Sequence, residues 1–387
     1  MGAELNVRMF GAAGDGCRDD SVAIQAALDA GRNGDVRIPE GVYRVSRTLC
    51  IHSDTVLRAE DGARIFHCGS SVKREGDFLL TCDDGSENIT LEGGVWDGNF
   101  DGVNNTKPEN LFEPGAWSGA MLNFVGVKNL TLRNLTLLNS VTFYVRMARV
   151  DGFLIEHITM GARRLAFNQD GLHFGGECRN GIVRDIEATD GETNDDLIAL
   201  NADDSLERLE NRGLVRGPIE NIEISDIRAK DCYTFARLAS VTNPIRNIRF
   251  RNISCGCRMY AVNMDGARYC RTPLFREEEM PEGSGLIENV SFEKFHVYAT
   301  AVSRSGSEPM PLICAETQCR NFTIRNFSRD DALDVRPDFP TVRARNLVDM
   351  RIEYAVQGEK KTVRLSEKAD RLELNERFDS LSMDAGL

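Results

Sequence analysis

Residues 221–229 read NIEISDIRA: an Asn, then apolar and polar residues in alternation, then an acid at the sixth position that breaks the alternation. Seven further nine-residue windows follow the same rule: NITLEGGVW from 88, NLTLRNLTL from 129, GFLIEHITM from 152, NGIVRDIEA from 180, NIRFRNISC from 247, NVSFEKFHV from 289 and NFTIRNFSR from 321. Seven of the eight begin with Asn, and five carry Asn or Asp at the sixth position. A period of two with β-branched and aromatic residues marks short strands. Asn and Asp tolerate a bent backbone, so each window reads as strand, bend, strand. A unit of that kind recurring at about 25 residues is one coil of a solenoid that packs only on its neighbours. The expected fold is therefore all-β: a single right-handed parallel β-helix solenoid with an N-terminal capping helix. The Asn residues should stack as a ladder. A β-sandwich also repeats short strands, but hairpin dipeptides are too sparse here to build one.

Work outward from the repeat gives three segments. Residues 1–50 differ from the rest and form an N-terminal cap with an amphipathic helix. In DDSVAIQAALDAG (19–31) Val22, Ile24, Ala27 and Leu28 fall toward one face, Asp19, Asp20 and Ser21 offer N-caps, and Gly31 a stop. Residues 51–358 are the β-helix. Residues 359–387, polar throughout, are a C-terminal strand or cap. Two insertions, 99–120 and 265–285, are rich in Gly, Pro and charge and read as loops.

Composition narrows the function classes. The chain has 387 residues, 41% hydrophobic and 28% charged, enough for a large core. A net charge of −13 without any Lys/Arg-rich run argues against nucleic acid as a partner. No apolar run approaches the ~20 residues that span a bilayer, so no membrane partner is expected. No basic segment followed by an apolar core opens the chain, and the 11 Cys lack metal-site spacing. A cytoplasmic protein with reduced, buried thiols is the expectation. No cofactor and no metal is expected, and the sequence does not give the oligomeric state.

The acids fall on the coils in a pattern. Asp170 lies 18 residues after the window start at 152 and Asp196 lies 16 after the start at 180. Arg146, Arg237 and Asn263 lie 17, 16 and 16 residues after theirs. With coils about 4.8 Å apart, Arg146, Asp170, Asp196, Arg237 and Asn263 should form one polar stripe, with Asp195 as a third acid beside it. Asp195 and Asp196 can share a cleft only if a turn, for which Asn194 is suited, lies between coils there. Two or three carboxylates on a groove suit hydrolysis of a sugar linkage: one donates a proton to the leaving oxygen and another takes one from the attacking water. His173 lines that groove or sits satisfied in its wall. Arg237 pairs with Asp196, binds an acidic substrate group, or does both. Trp117, with Phe112 and Tyr269, stands on the long loops and could stack on sugar faces. Loops closing both ends of the groove would favour exo action on short oligosaccharides.

These residues resemble a known family. The segment NVRMFGAAGDGCRDDSVAIQAALDAG…VRIPEGVYRV is similar to the N-terminal part of pectin-active β-helix proteins and some phage tailspikes. GGVWDGN (93–99), NQDG (168–171) and NDD (194–196) resemble the Gly-rich entry, the Asn-x-Asp-Gly motif and the paired aspartates of glycoside hydrolase family 28, the polygalacturonase-like family of the pectate-lyase-type superfamily. The resemblance implies an inverting glycosidase with Asp170, Asp195 and Asp196 as catalytic acids. Substrate binding would fall to Arg237, His173, Asn263, Arg146, Trp117, Asn168 and Arg268, and the substrate would be a pectin-like, uronate-containing oligo- or polysaccharide. Two family motifs are absent. Gly-His-Gly is replaced by TFARLAS (234–240) and Arg-x-Lys by Asn263-Met264-Asp265. Both cations that grip galacturonate are thereby lost, so the likeness carries the glycosidase reading further than the galacturonan one. Two rivals use the same fold. A lyase or epimerase would hold Ca²⁺ on its aspartates with Arg237 as base. A non-catalytic, tailspike-like sugar-binding protein would need no aligned acids.

Overall fold

The computed structural model describes residues 5–68, 78–100, 120–165, 168–188, 193, 195–204, 211, 213–265, 285–301, 311–330, 332–337, 339–344, 348–356, 359–365 and 372–374. Successive windows pair in parallel and in the register the repeat demands. Leu130 sits over Ile89, Phe153 over Leu130, Gly181 over Phe153, Ile222 over Gly181, Ile248 over Ile222, Val290 over Ile248 and Phe322 over Val290. Parallel pairing of strands this far apart in sequence is what a coiled chain gives, and it makes the protein a parallel β-helix. Three columns of strands form its walls. One holds the first half of each window, one the second half, and the third runs Leu49–Ile51, Leu80–Cys82, Leu122–Val125, Val145–Ala148, Leu172–Phe174, Asp196–Asn201 and onward to Val342–Ala344.

The bends are where the residue types place them. The first residue of every window (Asn88, Asn129, Gly152, Asn180, Asn221, Asn247, Asn289, Asn321) has a left-handed backbone, and so has every sixth (Gly93, Asn134, His157, Asp185, Asp226, Asn252, Lys294, Asn326). That conformation costs most L-residues about 1–2 kcal/mol, and Asn and Gly least. The first-position amides also stack: the Nδ2 of Asn129, Asn221, Asn247, Asn289 and Asn321 each donates to the Oδ1 of the Asn one coil before, at 2.8–3.2 Å. Gly152 breaks the ladder, and Asn180 donates to Asp151 instead at 2.7 Å.

Inside, alternate residues of each strand stack on their own kind. Phe250 and Phe292 lie face to face with centroids 4.2 Å apart, and Phe295, Phe322 and Phe327 extend the stack. The Phe153 ring lies 1.9 Å from where a Cβ on Gly181 would stand, so the glycine makes room for the ring.

The cap departs from expectation in one residue. The helix α1, Ser21–Ala30, buries Ser21, Ile24, Ala27 and Leu28, while Val22 is exposed. Val22 is about 200° around the helix from Ile24 at 3.6 residues per turn, so it belongs to the outer face. Asp20 precedes the helix but turns its carboxylate back to the amides of Ala13 and Gly14. Strands of the cap segment already join the ladder, with Asp35–Ile38 paired to Val56–Ala59 and Gly41–Val45 to Ala63–His67. At the far end the pairing turns antiparallel: Glu359–Leu365 lies against Val348–Val356 and Leu372–Leu374 against Val342–Ala344. No helix among the described residues is long and apolar enough to cross a membrane. The ten cysteines described are free thiols, six of them buried.

Candidate active site

The third column of strands carries the acids, but its register corrects the expected stripe. Asn123, Arg146, His173, Ala199, Arg237 and Asn263 are the residues in line across successive coils. Asp170 and Asp196 sit three positions earlier, in a second row continued by Thr234 and Tyr260. The cause is turn length. His173 lies 21 residues after Gly152 and Ala199 lies 19 after Asn180, whereas Arg237 lies 16 after Asn221. Counting a fixed distance from the window start therefore lands three residues short on two coils. Both acids are displaced by the same amount, so they still occupy equivalent places on adjacent coils, about 4.8 Å apart along the axis. The amide of Gly171 donates to the Asp196 carbonyl at 2.9 Å, which ties the two turns together.

Asp195 belongs to the same place. It sits in the bend just before the strand that Asp196 opens, and its Oδ2 accepts the Asn168 amide at 3.1 Å. Asn168 has a left-handed backbone (φ 58°), which turns the chain so that its N–H reaches across to the next coil. The bend at 193–196 is held from outside. Arg258 Nη2 donates to the Thr193 carbonyl at 2.9 Å, and Thr234 N–H points at the Asp195 carbonyl at 3.4 Å. Gln169 fixes the preceding turn through the carbonyls of Ser140 and Arg164. Asn194, Trp117, Arg268, Phe112 and Tyr269 lie outside the described residues.

Burial and charge distinguish the acids. The solvent-facing row is met only by Asp195, which is half-buried; Asp170 and Asp196 are buried. Each buried acid has a cation. Asp170 Oδ2 is 2.6 Å from His173 Nδ1, and Asp196 Oδ2 is 3.6 Å from Arg237 Nη1. The other oxygen of Asp170, Oδ1, is buried without a hydrogen-bond partner. A native carboxylate oxygen in that state is uncommon and calls for a reason.

His173 and Arg146 are corrections to the substrate-binding set. His173 is buried, stacked on Phe143 at 4.2 Å, and its second nitrogen is 2.7 Å from Asp204 Oδ2. Burial opposes the charged ring, but Asp204 and Asp170 overcome it and push the imidazole up to about 9. His173 is thus a cation inside the wall that fixes Asp170, with no nitrogen left for a ligand. Arg146 is likewise buried, with Nε on Asn123 Oδ1 at 2.8 Å and its guanidinium 5.0 Å from the Phe78 ring. Asn263 is half-buried in the same row as Arg237. Asp204 is the residue sequence reasoning missed; the second acid doublet, Asp203-Asp204, was its signal. Asp203 itself is structural, capping the amides of Val241, Thr242 and Asn243.

Known proteins of this kind can now be set beside the geometry. Residues 5–62 match the family model "Rhamnogalacturonase A/epimerase, pectate lyase-like", and residues 70–228 match "Glycosyl hydrolases family 28". The chain is 34% identical over 151 residues to plasmin and fibronectin-binding protein A of Streptococcus pneumoniae, covering 34% of this chain and 21% of that protein. It is 27% identical over 280 residues to a probable polygalacturonase of Arabidopsis thaliana, covering 70% and 57%. The chain thus spans well under two thirds of either relative's length. A family 28 exopolygalacturonase of Yersinia enterocolitica superposes with a TM-score of 0.58 at 17% identity, over 85% of this chain and 71% of that one, which is a likeness of fold. The class is therefore that of the pectate-lyase-like parallel β-helix proteins. More narrowly, the chain is a polygalacturonase-like protein of glycosyl hydrolase family 28.

Proposed function

We propose that the chain is a glycoside hydrolase that cleaves a pectin-like, uronate-containing oligo- or polysaccharide with inversion at the anomeric carbon. The observation that carries the reading is the state of Asp170, with one carboxylate oxygen fixed on a charged His173 and the other buried without a partner. An oxygen so placed is an acceptor for the proton of an attacking water. Asp196, beside Arg237, is suited to the same work. Asp195, the more exposed of the three, is the proton donor to the leaving oxygen. The separation of acid and base across adjacent coils leaves room for a water between them, as inversion requires. Arg237 and Asn263, neighbours in one row, hold the substrate near Asp196.

The test is turnover of oligogalacturonides and other uronate oligosaccharides by the wild type and by Asp170→Asn, Asp195→Asn and Asp196→Asn, with the product anomer read by NMR. The reading expects an inverted product and loss of turnover in all three variants. A retained anomer, or full turnover by Asp195→Asn, overturns the assignment. An unsaturated product absorbing in the ultraviolet makes the chain a lyase instead.

A further inference from the structure

Three metal-binding side chains meet near the cap, away from the acids of the third column's centre. Cys50 and His52 are two residues apart at the strand Leu49–Ile51 and so leave the same side of it. Asp83 follows the strand on the next coil, where Thr81 and Cys82 pair with Cys50 and Ile51. Cys50 Sγ, a ring nitrogen of His52 and a carboxylate oxygen of Asp83 all lie within 4.8 Å of one another. Cys50 Sγ is 3.4 Å from Asp83 Oδ1, and His52 Nδ1 is 2.7 Å from Asp83 Oδ2. In a tetrahedral zinc site with Zn–S of about 2.3 Å and Zn–O of about 2.0 Å, the sulfur and oxygen stand roughly 3.5 Å apart. The sulfur and the carboxylate already have that spacing, and the nitrogen needs to open by only about half an ångström.

The surroundings match the donors. The far nitrogen of His52, Nε2, is 2.8 Å from Asp29 Oδ1 at the end of α1. A carboxylate on the second ring nitrogen is the usual outer partner of a metal-bound histidine, since it fixes the tautomer and orients the ring. Asp29 is itself held by Gln25 Nε2 at 2.9 Å. Arg32 Nη2, 3.3 Å from the same ring nitrogen, is the cation that faces Asp29. A bridge of His52 between two acids would account for the ring alone. It gives no role to the Cys50 thiol, which turns to the same carboxylate.

We propose that Cys50 Sγ, His52 Nδ1 and the Asp83 carboxylate bind a divalent cation of the zinc type, with Asp29 as the outer partner. A sulfur, nitrogen and oxygen set selects Zn²⁺ over Ca²⁺ or Mg²⁺, which take oxygen donors. Asp83 is exposed on its outer side, so water completes the tetrahedron. Binding displaces the Cys50 thiol proton to solvent. The ion joins the cap helix, the coil of Cys50 and the coil of Asp83, and so clamps the cap onto the solenoid.

The test uses the full chain, stripped with a chelator and kept reduced, and titrated with Co²⁺ and then Zn²⁺. One equivalent of Co²⁺ is expected to give a thiolate-to-cobalt charge-transfer band and the strong visible bands of a tetrahedral ion, both abolished by Zn²⁺. Cys50→Ser should lack the charge-transfer band, Asp29→Asn should bind about 10- to 100-fold more weakly, and Cys17→Ser should match the wild type. Asp83→Asn, at an exposed position that folding tolerates, should also bind at least about tenfold more weakly. No charge-transfer band in the wild type, or a band of wild-type strength in Cys50→Ser or undiminished affinity in Asp83→Asn, overturns the site.

Discussion

The row Asp170–His173–Asp204 should make stability depend on pH, and His173→Gln exposes that dependence. Burial favours the neutral ring, but Asp204 and Asp170 outweigh it and raise the imidazole from 6.5 to about 9. A group whose pKa is raised by folding contributes stability that is complete below the unfolded value and is lost as pH climbs through the folded one. The window is therefore about pH 6.5 to 9. At about 1.4 kcal/mol per unit, a rise of this size is worth on the order of 3 kcal/mol. In His173→Gln the amide retains hydrogen bonding to both acids but cannot charge. At the acid end of the window the variant leaves two buried carboxylates without a cation, which costs about 3–5 kcal/mol. Urea unfolding followed by circular dichroism, in reducing buffer, measures the gap between the two proteins at each pH. Thiols also titrate at the alkaline end, but they are common to both proteins and cancel in the difference. The gap should narrow by roughly 3 kcal/mol from the acid to the alkaline end of the window. Parallel curves would refute the claim that His173 is held charged, and with it the fixing of Asp170 as a base.

Other perturbations test the remaining layers. Asp204→Asn removes one of the two acids that hold His173 charged, and should lower the alkaline end of the stability window while leaving the fold intact by circular dichroism. Asn247→Ala loses amide bonds to Asn221 and Asn289 and places Ala in a left-handed backbone; about 2–4 kcal/mol should be lost by calorimetry, and Asn247→Gly should recover the backbone share. Phe292→Ala empties the centre of the ring stack formed with Phe250, Phe295 and Phe322, and should cost about 3–5 kcal/mol in denaturant unfolding. Asp170→Asn should reduce turnover of a cleavable uronate oligosaccharide by about 10²–10⁴-fold, the range of a lost general base, with substrate binding little changed.

How far the sequence speaks depends on whether a constraint is local. The bends are local: a left-handed backbone taxes the residue that adopts it, so Asn, Asp and Gly gather there and the repeat is visible without any structure. Even so, His157 and Lys294 hold the same conformation at sixth positions, so packing across coils overrides local preference where the rest of the rung demands it. Ile24 and Ala27 were legible for the same reason, whereas Val22 was not, because an apolar residue carries no mark of which helix face it takes. The acid site is a longer-range matter. Its residues are set by the length of the turn that precedes each strand, and a turn can gain residues at little cost because it meets solvent. The column of His173 is therefore blurred by several residues in a count from Gly152, while Asp170 and Asp196, blurred equally, remain recognisable as a pair. Asp204 shows the limit most plainly. It lies 31 residues from His173, beyond the strand and on the far side of the ring, and only the folded coil brings it there. Its effect is nonetheless decisive for chemistry: without a second acid behind the ring, a buried imidazole would stay neutral at physiological pH, and Asp170 would face a neutral hydrogen bond instead of a charge.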